Sequence, residues 1–345
     1  MHVPVPTSKQ REEIRSRLND MDGREWVQAT KTVLFQHGLG YSHPETRIER
    51  KHPAPFSYRD AERLIRLFSK QGDAVLDPFC GVASTLKACA VSRRKGTGFE
   101  LNKTFCNLGK ARIKEEVENL EARTQQTMLC GDARTLINGI DDNAYSFILT
   151  SPPYWSILSK ANPEQATKYR KGSMPYSTDK RDFGCIEDYD QFVDELAVYL
   201  DSLKRVLQPK RYMAVMVSDF RHGELLYALQ ADLITAIRKL NRHGDRRLVL
   251  QGIKIIAQNH KKLYPYGFPS TYVPNIHHHY VLIFRNMVEA PPMQRRKPAI
   301  KRRKSNAVPR KSGTAKPTSP TRRSATPRSD RRRHSEKPAK LRKKR

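Results

Sequence analysis

Cysteine is scarce in this chain of 345 residues: there are five, at Cys80, Cys89, Cys106, Cys130 and Cys185. None form a C-x-x-C pair and their number is odd. That speaks against a zinc site and a disulfide framework, and fits a reducing compartment. Long apolar runs are also missing. Stretches such as Tyr280–Phe284 (YVLIF) fall far short of the roughly 20 residues a membrane span needs, and the N-terminus MHVPVPTSKQREE is too polar for a signal peptide. The expectation is a soluble intracellular protein with no membrane and no metal partner, cytoplasmic and nucleoid-associated if bacterial, nuclear if eukaryotic. Acidic residues are the third shortage. Asp and Glu number 35 against 65 Lys and Arg, a formal net charge of +30. Such a balance implies a polyanionic partner, either nucleic acid or an anionic membrane surface.

The charge is uneven. Arg295–Arg345 holds 22 Lys and Arg against two acids, Asp330 and Glu336. From about Val288 onward Pro, Ser, Thr, Lys and Arg dominate and no aromatic occurs. Such a segment buries too little apolar area to offset its ordering entropy, so residues 288–345 are expected to be a disordered basic tail.

Ahead of the tail, short apolar strands alternate with helical periodicity, which predicts an α/β domain with a mostly parallel sheet. Residues 8–20 read as a polar helix capped by Ser8. Tyr58–Gln71 reads as an amphipathic helix with Ala61, Leu64, Ile65 and Phe68 on one face. Strands are expected at AVLDPF, GTGFEL, TMLCG, YSFILT, YMAVMVSD, LVLQGIKIIAQ and HYVLIFRN, with helices over Lys103 to about Arg123 and Tyr189–Leu207. Residues 156–186 read as a long basic loop.

Two constellations carry chemistry. The first is Val75–Thr85, VLDPFCGVAST. In open α/β sheets ligands bind at the carboxyl ends of strands, where a glycine turn lets the backbone approach closely. Glu100 ends the next strand, where Rossmann-like sites keep the carboxylate that grips ribose hydroxyls, and Asp132 follows the third. A tight turn alone would explain the glycine; the linked acids point to a nucleotide-like cofactor. The second is Thr150–Trp155, TSPPYW. Two prolines stiffen the backbone and remove two N–H donors. A hydroxyl, a rigid carbonyl and an aromatic ring suit a planar base with an exocyclic amino group: the ring stacks and the two oxygens accept both amino hydrogens.

With these residues in place the chain resembles the DNA amino-methyltransferases, which act on cytosine N4 or adenine N6. DPFCGVAST looks like that family's cofactor loop and TSPPYW like its catalytic motif in the cytosine-N4 form. His52–Phe56 resembles an additional cofactor segment, Val217–Asp219 through Ala231–Leu233 a fifth-strand region, and HHHYVLIFRN the final strand. The resemblance covers roughly Arg47–Asn286. It implies a Rossmann-like fold with a seven-stranded, mostly parallel sheet and a reversed last strand. It implies S-adenosylmethionine as methyl donor and double-stranded DNA whose target base is flipped out. Asp77, Phe79 and Gly81 would shape the methionine pocket, Glu100 would hold the ribose and Asp132 would meet the adenine. Pro55 and Phe56 would join the cofactor site, and Ser151, Pro152, Pro153 and Tyr154 would hold the base. Ala83 departs from the pattern, standing where the family usually has a second glycine. The implied domains are an extension over 1–46, a methyltransferase domain over 47–287 and the tail.

Weaker signals remain. Lys160, Lys168, Arg170 and Lys171 are candidate phosphate contacts. Asn259–Tyr272 mixes Lys, Tyr and Phe as a nucleic-acid contact would. His277–His279 is a run whose side chains alternate faces. Cys80, inside the cofactor loop, reads as a small apolar filler rather than a nucleophile. The readings that compete with cytosine-N4 methylation of DNA are adenine-N6 methylation, RNA base methylation, and a non-catalytic nucleoid or chromatin protein on a methyltransferase fold. The recognition sequence and oligomeric state have no signature.

Overall fold

The computed structural model describes residues 17–36, 43–53, 56–155 and 179–288. All of them belong to one unit, Met1–Pro292. Of the helix expected over 8–20 only residues 17–20 are described, and they are not helical; the lysines and arginines between 160 and 171, Pro55 and the basic tail beyond Val288 lie outside the described residues.

Helix α1 (Gly23–Ala29) starts at a capping box: the Asp22 carboxylate accepts the Arg24 and Glu25 N–H groups, and Glu25 reaches back to Asp22. Strand β1 (Val33–Phe35) follows. Helix α2 (Tyr58–Phe68), capped by Ser57, turns Ala61, Leu64, Ile65 and Phe68 into the core, as its apolar spacing requires. Then strands and helices alternate: β2 (Ala74–Asp77), α3 (Ser84–Val91), β3 (Lys95–Glu100), α4 (Lys103–Glu116), α5 (Leu120–Thr124), β4 (Gln126–Cys130), α6 (Ala133–Leu136) and β5 (Tyr145–Thr150). The second half holds α7 (Tyr189–Ser202), β6 (Leu207–Val217), a small hairpin of β7 (Phe220–His222) and β8 (Leu225–Tyr227), α8 (Leu229–Leu240), β9 (Arg246–Ala257) and β10 (His278–Val288).

Among the described residues eight strands form the main sheet, in the order β1-β9-β10-β6-β5-β2-β3-β4. Only β10 runs against its neighbours β6 and β9. The reversed last strand is therefore present, but the expected seven strands become eight. The extra one, β1, pairs in parallel with the edge of β9, Leu34 facing Ile256. Three residues are too few to show strand alternation in the sequence.

Side chains alternate across the sheet. Phe147 and Leu149 of β5 pack toward α2, while Ile148 packs toward α7 and α8. Because β5 is covered on both faces, every one of its residues is buried. The long helix expected after Lys103 is broken: α4 ends at Glu116 and Asn119 caps α5 by accepting the Ala122 N–H.

One expectation is corrected outright. Cys106 of α4 and Cys130 at the end of β4 form a disulfide. They are 24 residues apart, with no local spacing to signal the pair. Packing of α4 on β4 brings their Cα atoms to 5.8 Å. Cys80, Cys89 and Cys185 take no part in that disulfide.

Candidate active site

Strands β2, β3, β4 and β5 are parallel neighbours, so their carboxyl ends open on one side of the sheet. A cleft of about 810 Å³, counting its open mouth, lies there. Its walls come from the turn after β2 (Phe79, Gly81), from Glu100 after β3, from Asp132 after β4 and from Ser151 and Pro153 after β5. His52 and Phe56 close one side, and Arg181, Asp182 and Phe183 another. Most of the residues singled out in the sequence thus meet in one cavity, although they are spread over about 100 positions.

Asp77 plays a different part. It is fully buried beneath the cleft and does not line it. Its Oδ2 accepts the Thr85 hydroxyl (2.5 Å), and its Oδ1 accepts the Thr150 hydroxyl (2.8 Å) and the Phe79 N–H (3.1 Å). One carboxylate therefore ties the glycine turn, the first turn of α3 and the end of β5 together. Burial pushes its pKa up to about 6, against the pull of those three bonds.

Glu100 points back at the turn. Its Oε2 accepts the Gly81 N–H (2.9 Å) and its Oε1 the Asn102 N–H (2.7 Å). Burial is the main cause that lifts its pKa to about 7; the nearby Asp182 and Asp77 carboxylates add to it. Both acids bind their protons more tightly in the folded protein than in the unfolded chain. The stability they contribute is complete below their ordinary values near 4 and is lost as pH rises through about 6 and then about 7. The apo-protein is accordingly expected to lose melting temperature between about pH 4 and pH 7, with the loss above pH 6 coming from Glu100. Glu100→Gln should flatten the upper part of that decline in a thermal melt, and an unchanged decline would remove Glu100 as its source.

The turn itself needs small residues. Gly81 has φ +55°, and a Cβ there would sit 3.1 Å from the His52 ring. Ala83, where a glycine was anticipated, also takes the left-handed conformation (φ 66°, ψ 35°). For a residue with a Cβ this costs roughly 1–2 kcal/mol. The methyl is fully buried among Cys80, Leu86 and Cys106, and Gly109 on α4 leaves the room it occupies. A buried methyl contributes about 0.8 kcal/mol, which offsets much of the strain.

The turn also rests on ionic contacts that sequence reasoning missed. Arg112, wholly buried, donates to Glu49 (2.6 Å), to Glu116 (3.0 Å) and to Ser84 Oγ (2.9 Å), and Lys87 donates to the same Glu116 (2.7 Å). The network fastens the segment leading to His52 against α3 and α4. These partners lie up to 63 residues apart, so no spacing could reveal them.

Asp132 caps α6, accepting the Arg134 N–H (2.9 Å), and pairs with the Arg134 side chain (3.2 Å). Arg134 in turn lies 4.8 Å from the Phe183 ring centroid, and Phe183 meets the edge of Phe79. Arg181–Phe183, from the stretch read as loop, thereby become part of the cleft. After β5, Ser151 Oγ stands 3.4 Å from the Tyr154 hydroxyl. Burial pushes that phenol up to about 12. Pro152 is buried and Tyr154 half-buried against the core, while Ser151 and Pro153 face the cleft. Trp155 has a left-handed φ of 48° and packs against Tyr189, Phe220, His222 and Tyr227, joining the β7–β8 hairpin to the end of β5.

Cys80 is buried, and burial together with the Asp77 and Glu100 carboxylates holds its thiol well above the ordinary range. It is a poor nucleophile. In the histidine run, His278 meets the Tyr280 ring edge at 4.8 Å, and burial pushes His279 down to about 4. Among the described residues no group of His, Cys, Asp and Glu is placed to hold a metal, and no helix is long and apolar enough to cross a membrane.

Residues 2–111 match the model of the N6/N4 methyltransferase family, described as DNA methylase. The chain is 29% identical over 114 residues to an orphan methyltransferase, M.BamHII, of Bacillus amyloliquefaciens, covering 30% of this chain and 43% of that one. It is 41% identical over 69 residues to the type II methyltransferase M.MthZI of Methanothermobacter thermautotrophicus, covering 20% of this chain and 19% of that one. The chain thus spans less than half the length of these relatives. A solved S-adenosylmethionine-dependent methyltransferase of Methanosarcina mazei covers 66% of this chain and 98% of its own, at 12% identity and a TM-score of 0.42. The family-model match is described as DNA methylase and both relatives are methyltransferases, and each match covers less than half of this chain.

Proposed function

We propose that this protein transfers a methyl group from S-adenosylmethionine to the exocyclic N4 amino group of cytosine in DNA. The observation that carries the reading is that Ser151 and Pro153 open into the same cleft as Gly81, Glu100 and Asp132. The residues present fit such a cofactor. The cradle at Gly81 would be filled by a Cβ, a carboxylate stands at the end of β3 for the ribose hydroxyls, and Phe56 and Phe79 offer apolar walls. When bound, S-adenosylmethionine supplies an electrophilic methyl on a sulfonium. Glu100 would hold the ribose, Asp132 the adenine end, and the Phe79–Gly81 turn the methionine part.

The chain's own residues then act on the base. Ser151 Oγ and the Pro152 carbonyl would accept the two amino hydrogens, favouring a more tetrahedral nitrogen whose lone pair would displace the thioether from the sulfonium methyl in line, the nitrogen then losing one proton to solvent. Tyr154 supports the base-holding segment through its hydroxyl near Ser151. Positioning and transition-state electrostatics do the work, with no covalent adduct. Serine ahead of the prolines favours cytosine; adenine N6 shares the pocket chemistry and is the second reading. Digested DNA from a reaction of purified protein, S-adenosylmethionine and plasmid is expected to yield N4-methylcytosine by mass spectrometry. N6-methyladenine alone would establish the second reading. 5-Methylcytosine would overturn the mechanism, and methylated RNA but not DNA would change the substrate. Cofactor binding without any transfer would favour a non-catalytic DNA-binding role.

The basic tail of residues 295–345 has charge and no aromatic ring, so it can attract phosphates but not read base edges. Deleting it is expected to weaken binding to specific and scrambled duplexes alike and to flatten the salt dependence, since each phosphate neutralised releases about 0.9 counterion. Affinity measured against salt for both proteins decides this; equal slopes would exclude the tail as a DNA contact.

A further inference from the structure

The connection from β9 to β10, Gln258–His277, contains neither helix nor strand. It is nevertheless tied to itself. The Tyr264 N–H donates to Asn275 Oδ1 (2.9 Å) and the Asn275 amide donates to the Tyr264 carbonyl (2.7 Å). The Ser270 and Thr271 N–H groups close on the Gly267 carbonyl at 2.9 and 2.7 Å. Gly267 has φ +74° and no room for a Cβ. The tip therefore has a set shape, yet its rings point away from the protein: Phe268 is 81% exposed and Tyr272 86%. Long loops with internal order and outward apolar groups mark interaction sites.

The loop leaves from the rim that carries the active site. Strand β9 runs in the same direction as β5 and β6, because β10 between them is the reversed one. Where the loop re-enters as β10, the His278 carbonyl accepts the Ser218 hydroxyl (3.2 Å) and the Tyr280 hydroxyl bonds to the Asp219 carboxylate. Ser218 and Asp219 follow the end of β6, the neighbour of β5, which delivers Ser151–Tyr154. Lys262 stands at the base of the loop, its ammonium 5.5 Å from the Tyr264 ring.

We propose that this loop is a wedge that enters duplex DNA beside the target nucleotide. Phe268 and Tyr272 stack on the bases left exposed when the target leaves the helix, and Lys262 contacts a phosphate. The proposal rests on the reading that the site methylates DNA. Outward rings next to lysine, on a chain of charge +30, complement stacked bases on a polyanion. Taking a base out of the stack costs stacking energy, and an apolar ring in the gap restores part of it.

The test compares wild type with a Phe268→Ala, Tyr272→Ala double variant on plasmid DNA, native and heat-denatured, using labelled S-adenosylmethionine. Both side chains are exposed, so melting temperature and calorimetric cofactor affinity should stay at wild-type values. Transfer to native duplex should fall about 100-fold, about tenfold per stacking ring, and transfer to denatured DNA should fall much less. Phe268→Trp, which keeps a ring, should retain most duplex transfer. Duplex transfer within twofold of wild type overturns the wedge, as do equal losses on both DNA forms; the second result, or loss of a dimer by sedimentation, would assign the rings to another partner. A wild-type protein that methylates no DNA refutes the proposed function instead. In that event a gel shift on duplex still decides the loop: unchanged affinity in the double variant overturns it, and a tenfold or larger loss supports it.

Discussion

Ser151→Ala is expected to lower the methyl-transfer rate by about 10²-fold or more while S-adenosylmethionine affinity stays within a few-fold of wild type. The estimate takes the loss of one positioned hydrogen-bonding group at a reacting centre as its guide. Ser151 Oγ faces the cleft and stands 3.4 Å from the Tyr154 hydroxyl, too long to be a strong bond. Among the described residues, removing the hydroxyl breaks no short buried hydrogen bond, and the fold should be unaffected. It would remove one of the two acceptors for the amino hydrogens. The expected signature is a fall in kcat with little change in KM for cofactor, because the interaction is strongest when the nitrogen becomes tetrahedral. Single-turnover rates and calorimetric titration of the variant give the comparison. A variant with a wild-type rate would exclude Ser151 from the reaction. A variant with weak cofactor binding would move it to the cofactor site.

Asp77→Ala should have the largest effect on the fold, destabilising it by roughly 3 kcal/mol or more in denaturant titrations. The carboxylate holds two hydroxyls and one N–H in a site with no solvent access. Each hydrogen bond to a charged group contributes about 1.5–3 kcal/mol, and a stranded buried donor costs more. Burying the carboxylate already costs something, as its raised pKa records, so the net loss is smaller than the sum of three bonds. Asp77→Asn keeps acceptor capacity and should lose less than half as much. The Ala variant should also weaken cofactor binding, because the Phe79–Gly81 turn loses its anchor. An unchanged denaturation midpoint would show that Asp77 is not the tie between the turn and β5.

The positions of the acids and of the glycine turn are legible in the sequence because each sits at a fixed place in a repeating pattern. Strand β2 ends at Asp77, β3 at Glu100, and β5 runs into Ser151, and a parallel sheet puts all those ends on one side. The prolines after Ser151 announced a stiff turn by their chemistry alone. The part Asp77 plays was not legible. Its partners Thr85 and Thr150 lie 8 and 73 residues away, and only the folded sheet turns them onto one carboxylate. The Arg181–Phe183 wall was hidden for a similar reason. It follows a stretch without periodicity, and its role arises from Arg134 lying across Phe183.

The alternation of apolar strands and helices, with glycine and proline at the turns, determined the α/β layering, since side-chain period is a local property of the backbone. That alternation could not register β1, the Cys106–Cys130 link, the Arg112 network or the common direction of β5 and β9. Each joins groups distant along the chain. Such contacts form only when buried apolar faces have already brought the elements together, and their energies depend on distances and exclusion of water that no linear spacing encodes.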